Sequence, residues 1–271
     1  MINYLTSPPM CDPDGWFGSV KYFQAIAIFG GFLVVFFIVM HFVNKKLAFD
    51  KKRLVLKIIA CSMIFLEFVK FINILRNGGD GLGKIGSGEF PFLLCSMPLY
   101  LFPMVAFSKG KLGDFVAPAA FIIGAIAGGI SLAYPAAILK VCEPWFYPDR
   151  LSFSIISLPF HTIMVVFAGY MVQSKVYRLK AGDWWKALSL MFSLAAIAIV
   201  LNALIPGADF FMLGPGVGNP ISALIPVIGH AGYVAVMLIV GALVVGLVYA
   251  YWIIRWFIDR YRYKKYQNDP Q

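Results

Sequence analysis

Charge is scarce in this chain. Asp, Glu, Lys and Arg make up 13% of the residues, about half the share of a typical water-soluble domain. Histidine occurs only 3 times and cysteine only 4 times, at Cys11, Cys61, Cys95 and Cys142. No pair of cysteines has C-x-x-C spacing and the histidines are far apart, so no metal centre is read from them. No cofactor is implied either. Polar stretches of domain size are missing as well, which excludes a second, soluble domain.

What is present in excess is apolar surface. Hydrophobic residues reach 61% and the mean hydropathy is +0.81, more than one aqueous core can bury. A helix needs roughly 20 apolar residues to cross about 30 Å of hydrocarbon. Such runs occur at Tyr22–Val43, Leu54–Leu75, Phe90–Phe107, Phe115–Tyr134, Leu151–Gln173, Trp184–Ile205 and Ile225–Ile258. The last is long enough for Ile225–Gly232 to lie at an interface while Tyr233–Trp256 crosses. The expected fold is an all-α polytopic membrane helix bundle of about seven transmembrane helices. Residues 1–21 form an extracytoplasmic segment, 22–258 the membrane domain and 259–271 a basic cytoplasmic tail. The polar, proline-containing start Met1–Gly15 lacks the short basic region and small-residue site of a cleavable signal peptide.

A net charge of +10 would suit a nucleic-acid ligand if the cations formed a patch. They do not, and no nucleic-acid partner is expected. Of 23 Lys and Arg residues, 17 follow spans one, three, five and seven, including Lys45, Lys46, Lys51, Lys52, Arg53, Lys57, Lys186 and Arg260. Five lie on the opposite side (Lys21, Arg76, Lys84, Lys140 and Arg150), and Lys70 falls inside a span. The positive-inside rule then puts the N-terminus outside and the C-terminus in the cytoplasm of a cell-membrane protein. Trp145 and Tyr147 would sit at the outer headgroups, Trp184, Trp185, Trp252 and Trp256 at the inner ones. Membrane lipids are the expected surroundings.

Three further patterns have limited weight. Gly81-Leu82-Gly83-Lys84-Ile85-Gly86 matches G-x-G-x-x-G but lacks the strand and βαβ unit that the dinucleotide fingerprint needs, so it reads as an external loop. Cys11 and Cys142 share an oxidising compartment, which permits a disulfide. Gly124 and Gly128 have GxxxG spacing, which lets a neighbouring helix approach closely.

Ionisable residues inside a span cost about 2.5–3.5 kcal/mol each on insertion scales. Span two nevertheless carries Glu67 and Lys70, neighbours on one helix face, with Asn73 and Asn77 continuing the stripe. At about 1.5 Å of rise per residue, Glu67, Cys95, His161 and Asn202 fall in the outer half of the bilayer and His230 just under its outer interface. Buried polar groups converge where protein or water can satisfy them, so a polar pocket open to the outer face is expected. Pro98 and Pro159 each remove a hydrogen bond to the carbonyl four residues back, at Leu94 and Ile155, beside Cys95 and His161. A thiol and an imidazole at one depth allow nucleophilic chemistry, the imidazole taking the thiol proton. Equally, a buried Cys serves as a small hydrophobe and a His as a partner for a backbone carbonyl.

The segment Phe90-Pro91-Phe92-Leu93-Leu94-Cys95-Ser96-Met97-Pro98-Leu99-Tyr100 resembles the bacterial YwaF-type integral membrane proteins, relatives of the transmembrane protein 164 acyltransferases. The resemblance runs from the Glu67 stripe through Leu158-Pro159-Phe160-His161 and Leu201-Asn202 to Phe210-Phe211-Met212, and covers roughly Leu54 to Ile258. It implies acyl transfer between lipids through a thioester, with Cys95 and His161 as catalytic residues. Many relatives carry His or Gln two positions before the cysteine. Here Leu93 stands there, so any role of that side chain in activating or orienting the thiol is absent or falls to another group, such as Glu67 or His161. Pocket residues are then Glu67, Lys70, Asn73, Asn202 and His230, with Asn202 or Lys70 steadying an oxyanion. The alternative is a non-catalytic membrane protein that binds or transports a small solute or lipid through the same polar layer. A protein that only assembles with another chain is a third reading.

Overall fold

The computed structural model describes residues 19–77, 92–108, 110–135, 138–139, 143–147, 149, 151–205, 208–214 and 220–268, except the side chains of 220 and 261–268. Cys11, Cys142 and the Gly81–Gly86 loop lie outside the described residues, as do the side chains of the basic tail from Tyr261 onward.

Seven helices carry the described chain: α1 Val20–Lys46, α2 Phe49–Asn77, α3 Pro98–Phe107, α4 Lys111–Ala133, α5 Phe153–Gln173, α6 Trp184–Leu204 and α7 Ile225–Asn268. All except α3 are long and apolar enough to cross a membrane. The protein is an all-α polytopic helix bundle, as its apolar runs require.

Local chemistry sets several helix ends. Ser19 and Ser152 cap α1 and α5, their hydroxyls accepting from Tyr22 N at 3.1 Å and Ile155 N at 3.3 Å. These are backbone donors that a helix start otherwise leaves unpaired. At the far end of α3, Arg53 of α2 donates from Nε to Ala106 O at 3.1 Å and from Nη2 to Ser108 O. A guanidinium there satisfies C-terminal carbonyls and complements the helix dipole.

The third apolar run differs most from expectation. Its described part is a 3₁₀ turn, Leu94–Ser96, followed by the ten-residue α3. Together the 14 residues extend about 21 Å, short of the hydrocarbon thickness. Pro98 begins α3 and does not interrupt it. At that first position its missing N–H costs no helix bond, and the Leu94 carbonyl accepts from Met97 N at 3.4 Å. Pro159, by contrast, does lie inside α5.

The centre of the bundle is α5. Of its most apolar window 61% is buried inside the protein, against 0% for α1, so α1 presents its apolar surface outward. On α5 pack α1, α2 and α4. Gly124 and Gly128 of α4 make the approach to α5 close, as their spacing suggested. A Cβ at 124 would stand 2.9 Å from both Ala168 Cβ and Met164 O, and one at 128 would stand 2.9 Å from Met164 Cβ. Phe102 of α3 stacks on Phe167 of α5, centroids 3.9 Å apart. In α7 the backbone leaves helical geometry at Gly229 (φ 70°, ψ 171°), a conformation that suits glycine. The break divides residues 225–228 from 230–268, inside the stretch expected at the interface.

Candidate functional site

Cys95 sits in the middle of the Leu94–Ser96 turn and is half-buried. Leu93 enters the turn extended (φ −74°, ψ 157°), and Ser96 N donates to Leu93 O at 2.9 Å. Ser96, next in the turn, is buried. Two irregular segments flank the turn. One is a π-turn in α4, Ile123–Ala127, and the other is the turn Phe210–Met212 between α6 and α7. One-turn π segments inside helices recur at functional sites.

From α2, Glu67 and Lys70 form an ion pair at 3.3 Å, with side chains 20% and 24% exposed. The Lys70 ammonium acts electrostatically on both Cys95 and His161, and the Glu67 carboxylate acts on Cys95 and on Tyr100. The electrostatic reach of the ion pair therefore extends to the cysteine turn and, through Lys70, to His161, and α2 packs on both α3 and α5. His161 is buried on α5, where Nδ1 lies 2.8 Å from Ser157 O. A carbonyl can only accept, so Nδ1 carries the proton and Nε2 is the basic nitrogen. Among the described residues no hydrogen bond joins the Cys95 sulfur to the His161 ring.

The two asparagines are placed by a different logic. Asn202 of α6 accepts from Phe210 N at 2.7 Å through Oδ1 and donates to Phe210 O at 3.0 Å through Nδ2. Asn73 of α2 grips Leu151 in the same way, at 3.3 and 3.2 Å. Each amide spends both polar groups on one residue's backbone, pairing groups that the hydrocarbon would leave costly. Asn202 thus has both kinds of polar group engaged with backbone, whereas Lys70 pairs with a side chain, Glu67. His230 stands apart on the exposed side of α7, its ring 6.1 Å from Tyr233.

Sequence reasoning missed the shape of the Phe210–Met212 turn. Phe211 and Met212 both have positive φ, 58° and 57°, the left-handed region in which a residue with Cβ is strained by roughly 1–2 kcal/mol. Such strain persists only where surroundings over-determine it. Here Asn202 holds Phe210, the Tyr233 hydroxyl donates to Met212 O at 2.6 Å, and Asp209 Oδ1 accepts from Gly214 N at 2.8 Å. Phe92, three residues before Cys95, meets Phe210 edge-on at 5.8 Å and Phe211 at 5.9 Å. No sequence pattern announces this turn, because neither Phe nor Met favours positive φ.

A separate shallow cleft is lined by Lys21, Gln24, Glu143 and Trp145. Lys21 donates to Glu143 O and lies 4.7 Å from the Trp145 ring, whose Nε1 donates to Gln24 Oε1 at 3.1 Å. Among the described residues, no group of His, Cys, Asp and Glu could hold a metal ion. No known protein family, curated protein or solved structure matches this chain.

Proposed function

We propose that this chain is a membrane enzyme that moves acyl groups from phospholipids through a thioester on Cys95. The observation that carries the reading is that a thiol, a buried imidazole with a fixed tautomer and an ion pair, contributed by three segments of a membrane bundle, lie within electrostatic reach of one another. Polar groups at membrane depth are retained where they have a purpose. The resemblance of the Cys95, His161 and Asn202 segments to YwaF-type proteins supports the same reading.

The chemistry proceeds in two halves. His161 Nε2 takes the Cys95 proton, and the sulfur attacks the ester carbonyl of a phospholipid. The C–S bond forms, the carbonyl oxygen takes up negative charge beside Lys70, and collapse expels the lyso-lipid alkoxide, which receives the proton from His161. An acceptor hydroxyl, from a second lipid or from water, then gives its proton to His161 and attacks the thioester. The acyl product leaves and the thiol is restored. A positioned charge that stabilises an oxyanion in a site shielded from water is worth several kcal/mol, and Lys70 with its Glu67 partner supplies one.

Incubation with an alkyne-bearing phospholipid should label the protein through a hydroxylamine-labile bond, and Cys95→Ala should abolish the label. His161→Gln, which replaces the imidazole with an amide that still offers an N–H donor but no general base, should slow labelling by about 10²-fold or more. Equal labelling of wild type and Cys95→Ala would end the reading. The alternative of non-covalent binding draws on the partial exposure of Glu67 and Lys70. It requires that uptake or retention of a ligand survive Cys95→Ala and fail when both charges are removed.

A further inference from the structure

We propose that Tyr233 is a positioning residue for Cys95, acting through the strained Phe210–Met212 turn, an inference that deepens the acyl-transfer reading. The path is continuous. The Tyr233 hydroxyl donates to Met212 O at 2.6 Å, and Tyr233 itself is 1% exposed in α7. Met212 and Phe211 are the two left-handed residues. Phe210 and Phe211 pack their rings on Phe92, and the chain then runs from Phe92 through extended Leu93 into the Cys95 turn. The Leu94–Ser96 turn also packs directly on Phe210–Met212.

The energetics give the hydroxyl leverage beyond one bond. Two left-handed non-glycine residues, Phe211 and Met212, strain the turn. Asn202 opposes that strain at the first residue of the turn and Tyr233 at the last. Gly214 lets the chain close beneath it, since a Cβ there would stand 2.5 Å from Ala208 O. Removing the bond at Met212 O releases one end of a sprung segment, while the Asn202 clamp keeps the other end attached. The turn then relaxes where Phe211 touches Phe92, and the Cys95 turn loses its fixed wall. Tyr233 does not reach the reacting atoms itself, and its role is to hold the wall in place.

The test uses the full chain in detergent micelles and two readouts. Alkylation of Cys95 by N-ethylmaleimide, followed by peptide mass spectrometry, should accelerate in Tyr233→Phe by about fivefold or more, the scale set by one lost hydrogen bond. Cys61, exposed on α2, should keep its wild-type rate, which separates local release from general loosening. Asn202→Ser provides a second variant that loosens the other end of the turn and should act in the same direction. An acceleration at Cys95 below about fivefold in both variants, or one matched at Cys61, overturns the proposal. In the phospholipid-labelling assay Tyr233→Phe should lower the maximal rate and leave half-saturation unchanged, and an unchanged maximal rate also counts against it. If the wild type takes no label, the acyl-transfer reading fails while the alkylation comparison still decides the positioning role.

Discussion

The ring of Phe37 in α1 packs over Gly169 in α5, so closely that a methyl group at position 169 would overlap its Cζ and stand 2.7 Å from its Cε1. The first helix is otherwise turned outward, and its other links to α5 include Gln173 Nε2 to Phe37 O at 2.8 Å and Tyr170 Oη to Asn44 Oδ1 at 3.0 Å. Gly169→Ala should therefore destabilise the bundle by about 1–3 kcal/mol through overpacking. Adding Phe37→Leu should recover part of that loss. A double-mutant cycle on thermal unfolding in detergent checks both, and simple additivity would mean that the two sites do not touch.

The Asn73 clamp on Leu151 predicts a second stability effect. Asn73→Leu removes two hydrogen bonds and leaves a backbone N–H and C=O without partners, at a cost of about 1–3 kcal/mol. Asn73→Asp keeps an acceptor for Leu151 N, and at acidic pH its protonated carboxyl also offers an O–H donor to Leu151 O, so its loss should be smaller there than at neutral pH, where the carboxylate only accepts. Unfolding midpoints of the two variants, compared at acidic and neutral pH, test this ordering.

Neutralising one member of the Glu67–Lys70 pair strands the other. Glu67→Gln or Lys70→Gln alone should destabilise the protein by about 2.5–3.5 kcal/mol, the insertion cost of an uncompensated charge. Changing both to Gln should be milder than the worse single change, since no charge is left. Folded yield and thermal midpoint in the four proteins decide it. A double variant as unstable as the sum of the singles would show that the two charges are independent.

Alkaline pH should expose a weakness at the loop between α5 and α6. There Tyr177 donates to Asp183 Oδ2 at 2.7 Å. Burial first, and then the Asp183 carboxylate, push the Tyr177 hydroxyl above its ordinary value of 10.0. The folded state thus holds the neutral phenol, whereas in the unfolded chain it ionises from pH 10 upward. Its contribution is complete below that value and is lost as the pH rises toward the folded-state value. The unfolding midpoint should fall between pH 9.5 and about 11.5, and Tyr177→Phe should flatten the fall. Parallel slopes in the two proteins would remove Tyr177 from the account.

Much of this organisation is readable along the chain. The long helices follow from runs of apolar residues, and the close approach of α4 to α5 from Gly124 and Gly128. Burial cost alone drew attention to Glu67 and Lys70, and the structure pairs them. Other readings needed a partner that no local pattern names. Asn73 and Asn202 read as polar residues at depth, and the structure supplies their backbone partners, Leu151 and Phe210. Pro98 looks like a break inside a span until the helix is seen to begin there. His230 shares an apparent depth with the other polar residues but lies on the exposed side of α7.

Membrane residence and helix content were decided by the sequence itself, because transfer of a segment into hydrocarbon depends on its own length and apolar content, accumulated residue by residue. Tertiary structure alone decided which carbonyls the asparagines bind, how two left-handed residues are tolerated at Phe211 and Met212, and which polar side chains stand around Cys95. Those outcomes depend on groups far apart in the chain, 78 residues in the case of Asn73 and Leu151, and only packed helices bring such groups within the 3 Å or so over which a hydrogen bond acts.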